Sequence, residues 1–319
     1  MLAAIICTVG NAAPIAAQSN YPNRPIRILI PFAPGGVPDI IARLIGPKIT
    51  DALGQPVVVE NKPGAGGTLA AAQVAKSDPD GYTLFMTTVS TQAIAPHLVS
   101  NLQYDPAKDF ASISHVANVP LVLIINPQLP AKNLKEFVAL LKANPGKYDF
   151  ASSGAGAPLH LAGELFKSMA GTDIQHIPYK GSAPALTDLI AGRVALLFDA
   201  VPPALSHIQA GSVRALGVGT KTRAAMLPEI PTLDEAGLTG FEAYTWGAFF
   251  APAQTPKPII DRLNVATKQA LASPDVRQRL TELGYEIVAS SPEELDRHVQ
   301  TEFAKWGDII RKAGVKVTF

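Results

Sequence analysis

The sequence predicts an α/β protein of two domains joined by two crossover strands. Three observations carry that reading. Short β-branched runs alternate with helix-periodic segments, many of the runs end in turns rich in glycine or small hydroxyl residues, and two apolar runs at 119–125 and 246–251 divide the alternation into two series. Strand, turn and helix in repetition are the mark of a parallel sheet with crossover helices.

The first series begins at 26–31, a β-branched run read as a strand buried on both faces. It ends in a turn cluster at 32–39, and the helix that follows places Ile40, Ile41, Leu44 and Ile45 on one face. Gly46-Pro47 is expected to kink or break this helix, because proline removes a hydrogen bond and clashes with the preceding turn. Gly54 is a C-cap candidate. A second strand at 57–61 runs into a glycine cluster at 63–68, which opens an alanine-rich helix to about Ala75. A third strand at 83–87 ends in the hydroxyl-rich segment 88–91.

In the second series the strand at 119–125 precedes a helix at 134–143 and a strand at 149–153 that runs into a Gly-Ala loop, 154–158. A helix from near Leu159, a strand at 173–178, a helix at 185–191 and strands at 194–198 and 213–218 follow. Beyond the apolar run at 246–251 come helices at 259–272, 274–283 and 292–313, with one short strand at 286–288. The two apolar runs read as the crossings between domains. One domain is then 22–118 with 252–319, and the other is 119–251, both crossover strands included. The closing helices would pack back on the first domain, the topology of a hinged, two-lobe binding protein.

Composition agrees. A chain of 319 residues, 47% hydrophobic and 17% charged, has apolar surface for sizeable cores and is not broadly disordered. The net charge is +1 and no block of like charge occurs, which argues against a nucleic-acid partner. The single cysteine, Cys7, lies near the N-terminus, so the body of the chain has no disulfide, thiolate metal site or cysteine nucleophile. Residues 1–17 are apolar and small, and a polar run follows at 18–22. This reads as a secretory signal peptide, although no Lys or Arg precedes the apolar stretch. A short buried N-terminal helix is the competing reading, and Gly10 and Pro14 fit it poorly. No later run reaches the roughly 18–20 apolar residues that span a bilayer, so a soluble exported protein is expected.

Ligands of open parallel sheets bind beyond the carboxyl ends of the strands. Three such junctions are 32–39, 63–68 and 152–158. Helix N-termini there offer unpaired backbone N–H groups and the positive end of the helix dipole, and small residues let an anion approach them. Only Lys62 adds a cationic side chain, so amides, hydroxyls and water would hold the ligand: enough for a carboxylate, thin for a nucleotide triphosphate. Glycines after strands also simply make tight turns. Gly35-Gly36 and Gly64-Gly66-Gly67 form neither GxGxxG nor a Walker loop, and Ser152-Ser153-Gly154 is not a hydrolase elbow.

None of the six histidines has metal-ligand spacing, and neither metal nor cofactor is expected. His160, in the first helical turn after 152–158, is placed to donate to a ligand, or else is a satisfied core histidine. Asp39 and Asp199 end strand-to-loop segments, Asp39 with an alternative role as a helix N-terminal acid. A hydrolytic triad of Ser153, His160 and Asp199 is a minority reading, since the elbow is missing.

Several motifs together carry a resemblance. Residues 31–39 with Ala42-Arg43, the stretch 53–67 and Asp80-Gly81-Tyr82-Thr83-Leu84 resemble three signatures of the tripartite tricarboxylate transporter substrate-binding receptors, the Bug family. The segments 179–185, 192–199 and 227–237 resemble others, and the likeness runs from about Tyr21 to the C-terminus. It implies a two-domain periplasmic-binding-protein (Venus flytrap) fold, a periplasmic location, and delivery of a small carboxylate to a large and a small membrane component of a secondary transporter. The resemblance places the ligand among Phe32, Ala33, Gly35, Gly36 and Asp39 of the first lobe and Ser153, Gly154, Ala155, Gly156 and His160 of the second. Thr87, Thr88 and Ser90, with Tyr179 and Asp199, would shape the rest of the pocket. A ligand bridging both lobes favours the closed state over the open one. The expected form is a monomer without enzymatic activity. Handing the closed state to a sensor kinase instead of a permease is the alternative, and the identity of the carboxylate stays open.

Overall fold

The computed structural model describes residues 21–315. The expected signal peptide at 1–17, and Cys7 with it, lies outside the described residues.

In the first half, strands β1 (Ile26–Ile30), β2 (Val57–Asn61) and β3 (Thr83–Thr88) are connected by helices α1 (Val37–Leu53) and α2 (Thr68–Ala75) and pair in parallel, with β1 in the middle. A π-helical turn at Ser90–Ile94 and the short helix α3 (Ala95–Leu98) follow β3. The long strand β4 (Phe110–Ile125) then leaves this half for the other. The second half holds α4 (Leu134–Ala143), β5 (Asp149–Ser152), α5 (Pro158–Ala170), β6 (Gln175–Pro178), α6 (Ser182–Ile190), β7 (Leu196–Ala200), α7 (Val201–Gln209) and β8 (Arg214–Val218). The chain returns through β9 (Tyr244–Pro252) and closes with α8 (Lys257–Ala272), α9 (Pro274–Glu282), β10 (Glu286–Ile287) and α10 (Pro292–Ala313).

Strand order runs β2-β1-β3-β9-β4-β7-β5-β6, with β8 and β10 also on β4. The parallel sheet expected from the alternation is therefore two parallel trios, β2-β1-β3 and β7-β5-β6, joined by antiparallel strands. Residues 110–120 of β4 pair with β9, while Leu121–Ile125 pair with β7. The change of partner falls at Pro120, which has no N–H to give to a ladder.

β9, which holds the run at 246–251, pairs along its length with β3 and the first part of β4, so its hydrogen bonds belong to the first sheet. One sequence expectation needs correction. The break expected at Gly46-Pro47 does not occur, and α1 continues to Leu53. Pro47 and Arg43 both lie on the exposed face, so the Arg43 carbonyl that loses its amide donor faces solvent.

Buried side chains join the halves. One apolar cluster runs from Leu29 and Phe85 through Trp246 and Trp306 to Phe150, Phe166 and Phe198. Trp306 comes from α10, which packs against the π-helical turn of the first half and α5 of the second. Its N-terminus is set by a capping box in which Ser291 and Glu294 each accept the other's backbone N–H. Among the described residues no helix is long and apolar enough to cross a membrane.

Candidate functional site

The carboxyl ends of the two parallel trios face one another across a crevice of about 200 Å³. Phe32, Gly66, Ser90, Ile94, Ala95 and Leu98 line it from the first half, and residues 153–157 from the second. Each contribution follows a strand: Phe32 after β1, Gly66 after β2, Ser90 after β3 and the Ser153–Ala157 loop after β5. No Arg, Lys, Asp or Glu is among the lining residues. The N-caps of α1 and α5, Gly36 and Ala157, have no side-chain cap, and Pro follows within the first two helical positions of each. First-turn amides are thereby left without a side-chain acceptor, the usual condition for receiving an anion.

Of the expected site residues, Phe32, Ser90, Ser153, Gly154, Ala155 and Gly156 line this crevice together. Ala33 and Gly35 stand on the exposed part of the first loop, and Gly36 is half-buried at the start of α1. The Thr87 hydroxyl is buried against that of Thr91 at 2.6 Å. Thr88 accepts from the Ser90 amide at 3.3 Å, so it props the turn that carries Ser90.

Four other expected site residues have hydrogen-bond partners within the protein. Asp39 is buried, and its carboxylate accepts from the Gly35 amide, the Arg43 guanidinium and the Asn61 side-chain amide, each at 2.9 Å. Burial pushes this carboxyl up, but those bonds outweigh it and hold the group below the usual carboxylate range. A buried anion so occupied fastens the loop. Asn61 also donates to the Phe32 carbonyl at 3.0 Å, so the pair sets the backbone on which Phe32 stands. His160 is buried under the second loop, with Nδ1 accepting from Gly156 at 3.0 Å and Nε2 3.6 Å from Glu164. Tyr179 gives its hydroxyl to Asp188 at 2.7 Å. Asp199 accepts from Ser182 at 2.5 Å and from the Ala200 amide at 2.8 Å. Its burial pushes the carboxyl up to about 6, against the pull of those two bonds.

These partners also dissolve the triad of Ser153, His160 and Asp199: the imidazole is spent on Gly156 and Glu164, and the acid on Ser182 and Ala200. Neither orients the other. Sequence reasoning missed Ile94, Ala95 and Leu98, the apolar wall after β3. The available signal was that the junction after β3 is the third of the first trio, and all three strand ends open on the same side.

Residues 41–315 match the family described as Tripartite tricarboxylate transporter family receptor. The chain belongs to that family. It is a family of solute-binding receptors, not of enzymes. The structure of the periplasmic binding protein BugD is 38% identical, with a TM-score of 0.80 over 93% of this chain and 99% of that one. Rpa4515 of R. palustris, solved with adipate, is 37% identical, with a TM-score of 0.83 over 93% and 99% of the two chains. MatC of Rhodopseudomonas palustris, solved with bound malate, is 36% identical, with a TM-score of 0.79 over 91% and 100%. The chain therefore has the two-domain periplasmic-binding-protein fold, and its crevice lies where the parallel strands of both halves end.

Proposed function

We propose that this chain is an exported receptor that closes on a small dicarboxylate and delivers it to the large and small membrane components of a tripartite transporter. The observation that carries the reading is the crevice shared by Phe32 and Ser90 on one side and Ser153–Ala157 on the other. Backbone amides at the starts of α1 and α5 and the hydroxyls of Ser90 and Ser153 would take the carboxylate groups, while Ile94, Ala95 and Leu98 would meet the carbon chain. A ligand held from both sides binds the closed form better than the open one, and closure is what the membrane partner would read. The solved relatives holding adipate and malate support the ligand class.

The test is a titration of the chain with mono-, di- and tricarboxylates, followed by calorimetry and thermal unfolding. A dicarboxylate is expected to bind and raise Tm by several degrees, about 2.7 kcal/mol at 100-fold excess over Kd. Gly156→Val should weaken that binding. If every acid in the panel leaves Tm unchanged at millimolar concentration, the proposal falls.

A further inference from the structure

The crevice at the carboxyl ends of the two trios is poor in polar side chains. Among its described lining residues only Ser90 and Ser153 carry one, a hydroxyl in each half. Backbone donors are scarce in the second loop as well. Gly154 gives its amide to Ser152 Oγ at 3.1 Å, Gly156 to His160 Nδ1 at 3.0 Å and Ala157 to the Gly154 carbonyl at 3.2 Å. The two hydroxyls and the first-turn amides of α1 and α5 suit the carboxylate groups at the ends of a ligand. Little is left for a polar substituent on the chain between them.

The wall that faces that chain is apolar and braced. Ala95 gives its amide to the Ser90 carbonyl, which closes the π-helical turn Ser90–Ile94. The Thr91 and Thr87 hydroxyls meet at 2.6 Å, and the Tyr104 hydroxyl donates to the Thr91 carbonyl at 2.6 Å. Ser90 and the apolar residues after it are therefore fixed relative to one another. Ile94 is 1% exposed and Ala95 5%, so the apolar side chain that this turn and α3 leave accessible in the crevice is that of Leu98, which is half-buried. Leu98 is itself backed by the main apolar cluster.

We propose, on the carboxylate-receptor reading, that the crevice selects unsubstituted aliphatic dicarboxylates over their hydroxylated counterparts, and that Leu98 sets the preference. A ligand hydroxyl pressed against Leu98 on closure gives up its water without gaining a partner, whereas a methylene there gains apolar contact. The braced turn does not re-form around a polar group, so the penalty falls on the hydroxylated ligand.

Calorimetric titration of the full chain with succinate and malate, which differ by one hydroxyl, tests the selectivity. Glutarate with 3-hydroxyglutarate repeats the comparison on a longer chain. The unsubstituted member of each pair should bind about tenfold more tightly. Leu98→Asn offers a donor and an acceptor and should bring the members of a pair to within about threefold. Leu98→Met, apolar and similar in volume, should keep the preference. The wild-type ratio decides the selectivity even if Leu98→Asn fails to fold, and Leu98→Gln then tests the residue. A hydroxylated acid that binds as tightly as its plain counterpart would overturn the selectivity and leave the receptor reading standing. An unchanged ratio in the folded Asn or Gln variant would overturn the role of Leu98. If no dicarboxylate binds at millimolar concentration, the receptor reading fails and the selectivity falls with it.

Discussion

The backbone amide of Gly156 donates to Nδ1 of His160 at 3.0 Å, tying the second-half loop to the first turn of α5. An accepting Nδ1 leaves the neutral ring's proton on Nε2, which faces Glu164. The ring lies flat on that of His176, centroids 3.7 Å apart, and Nε2 of His176 meets the Ser152 hydroxyl at 2.6 Å. Two stacked imidazoles thus support the loop that forms one wall of the crevice.

His160→Phe keeps a ring on His176 and removes the acceptor for Gly156. Carboxylate affinity is expected to fall about tenfold, the worth of one well-placed hydrogen bond. Calorimetry on the wild type and the variant measures it, and far-ultraviolet circular dichroism should show the fold unchanged.

Asp39→Ala removes the shared acceptor of Gly35, Arg43 and Asn61. The expected loss of stability is about 2–4 kcal/mol, since three bonds to a carboxylate break and one of them pairs it with a guanidinium. Urea unfolding gives the figure. Ligand affinity should fall as well, because Asn61 would lose part of its hold beneath Phe32.

Gly67 has φ +96°, and a Cβ there would lie 2.9 Å from Thr91 Cγ2, 3.0 Å from Pro31 Cβ and 3.4 Å from Phe32 Cε1. Gly67→Ala should therefore cost about 1–3 kcal/mol in strain and also displace Phe32. Gly211→Ala is the control: φ is +70° there, with nothing within 4 Å of the added carbon. Both variants should lose stability in urea, and only Gly67→Ala should lose affinity.

Burial and the neighbouring His160 push His176 down to about 4, and burial with His298 pushes His115 down to about 3. Their unfolded values are near 6.5, so below that pH the unfolded chain binds protons that the folded chain refuses. Stability should fall on acidification by about 1.4 kcal/mol per pH unit for each group, levelling near pH 4 for His176 and near pH 3 for His115. The share of His176 is smaller, because it is only half-buried. Asp199 acts in the opposite sense. With its folded carboxyl at about 6, its contribution is full below the unfolded value near 3.8 and is lost as the pH rises through 6. Asp199→Asn should therefore steepen the acid loss between about pH 6 and 4. Denaturant midpoints across that range check both signs.

Much of the fold is legible locally. The β-branched runs at Ile26–Ile30 and Val57–Asn61 and the short run Asp149–Ser152 are strands, and a small-residue turn after each opens on the crevice. Strand period and turn chemistry depend on near neighbours in sequence, which is why they can be read there. Two of the family signatures, at 31–39 and 53–67, cover the loops after the first two of these strands, so those crevice-lining segments are legible too.

What the sequence by itself determined is the order of elements, the two halves and the loops that meet. Only the tertiary structure decided which side chains face the ligand space and which sheet claims β9. Asp39 is drawn inward by Asn61, 22 residues away, and β9 pairs with β4 across more than a hundred residues. A side chain's direction follows the partners that satisfy its charge and hydrogen bonds, and those are supplied by segments that approach only when the chain has folded.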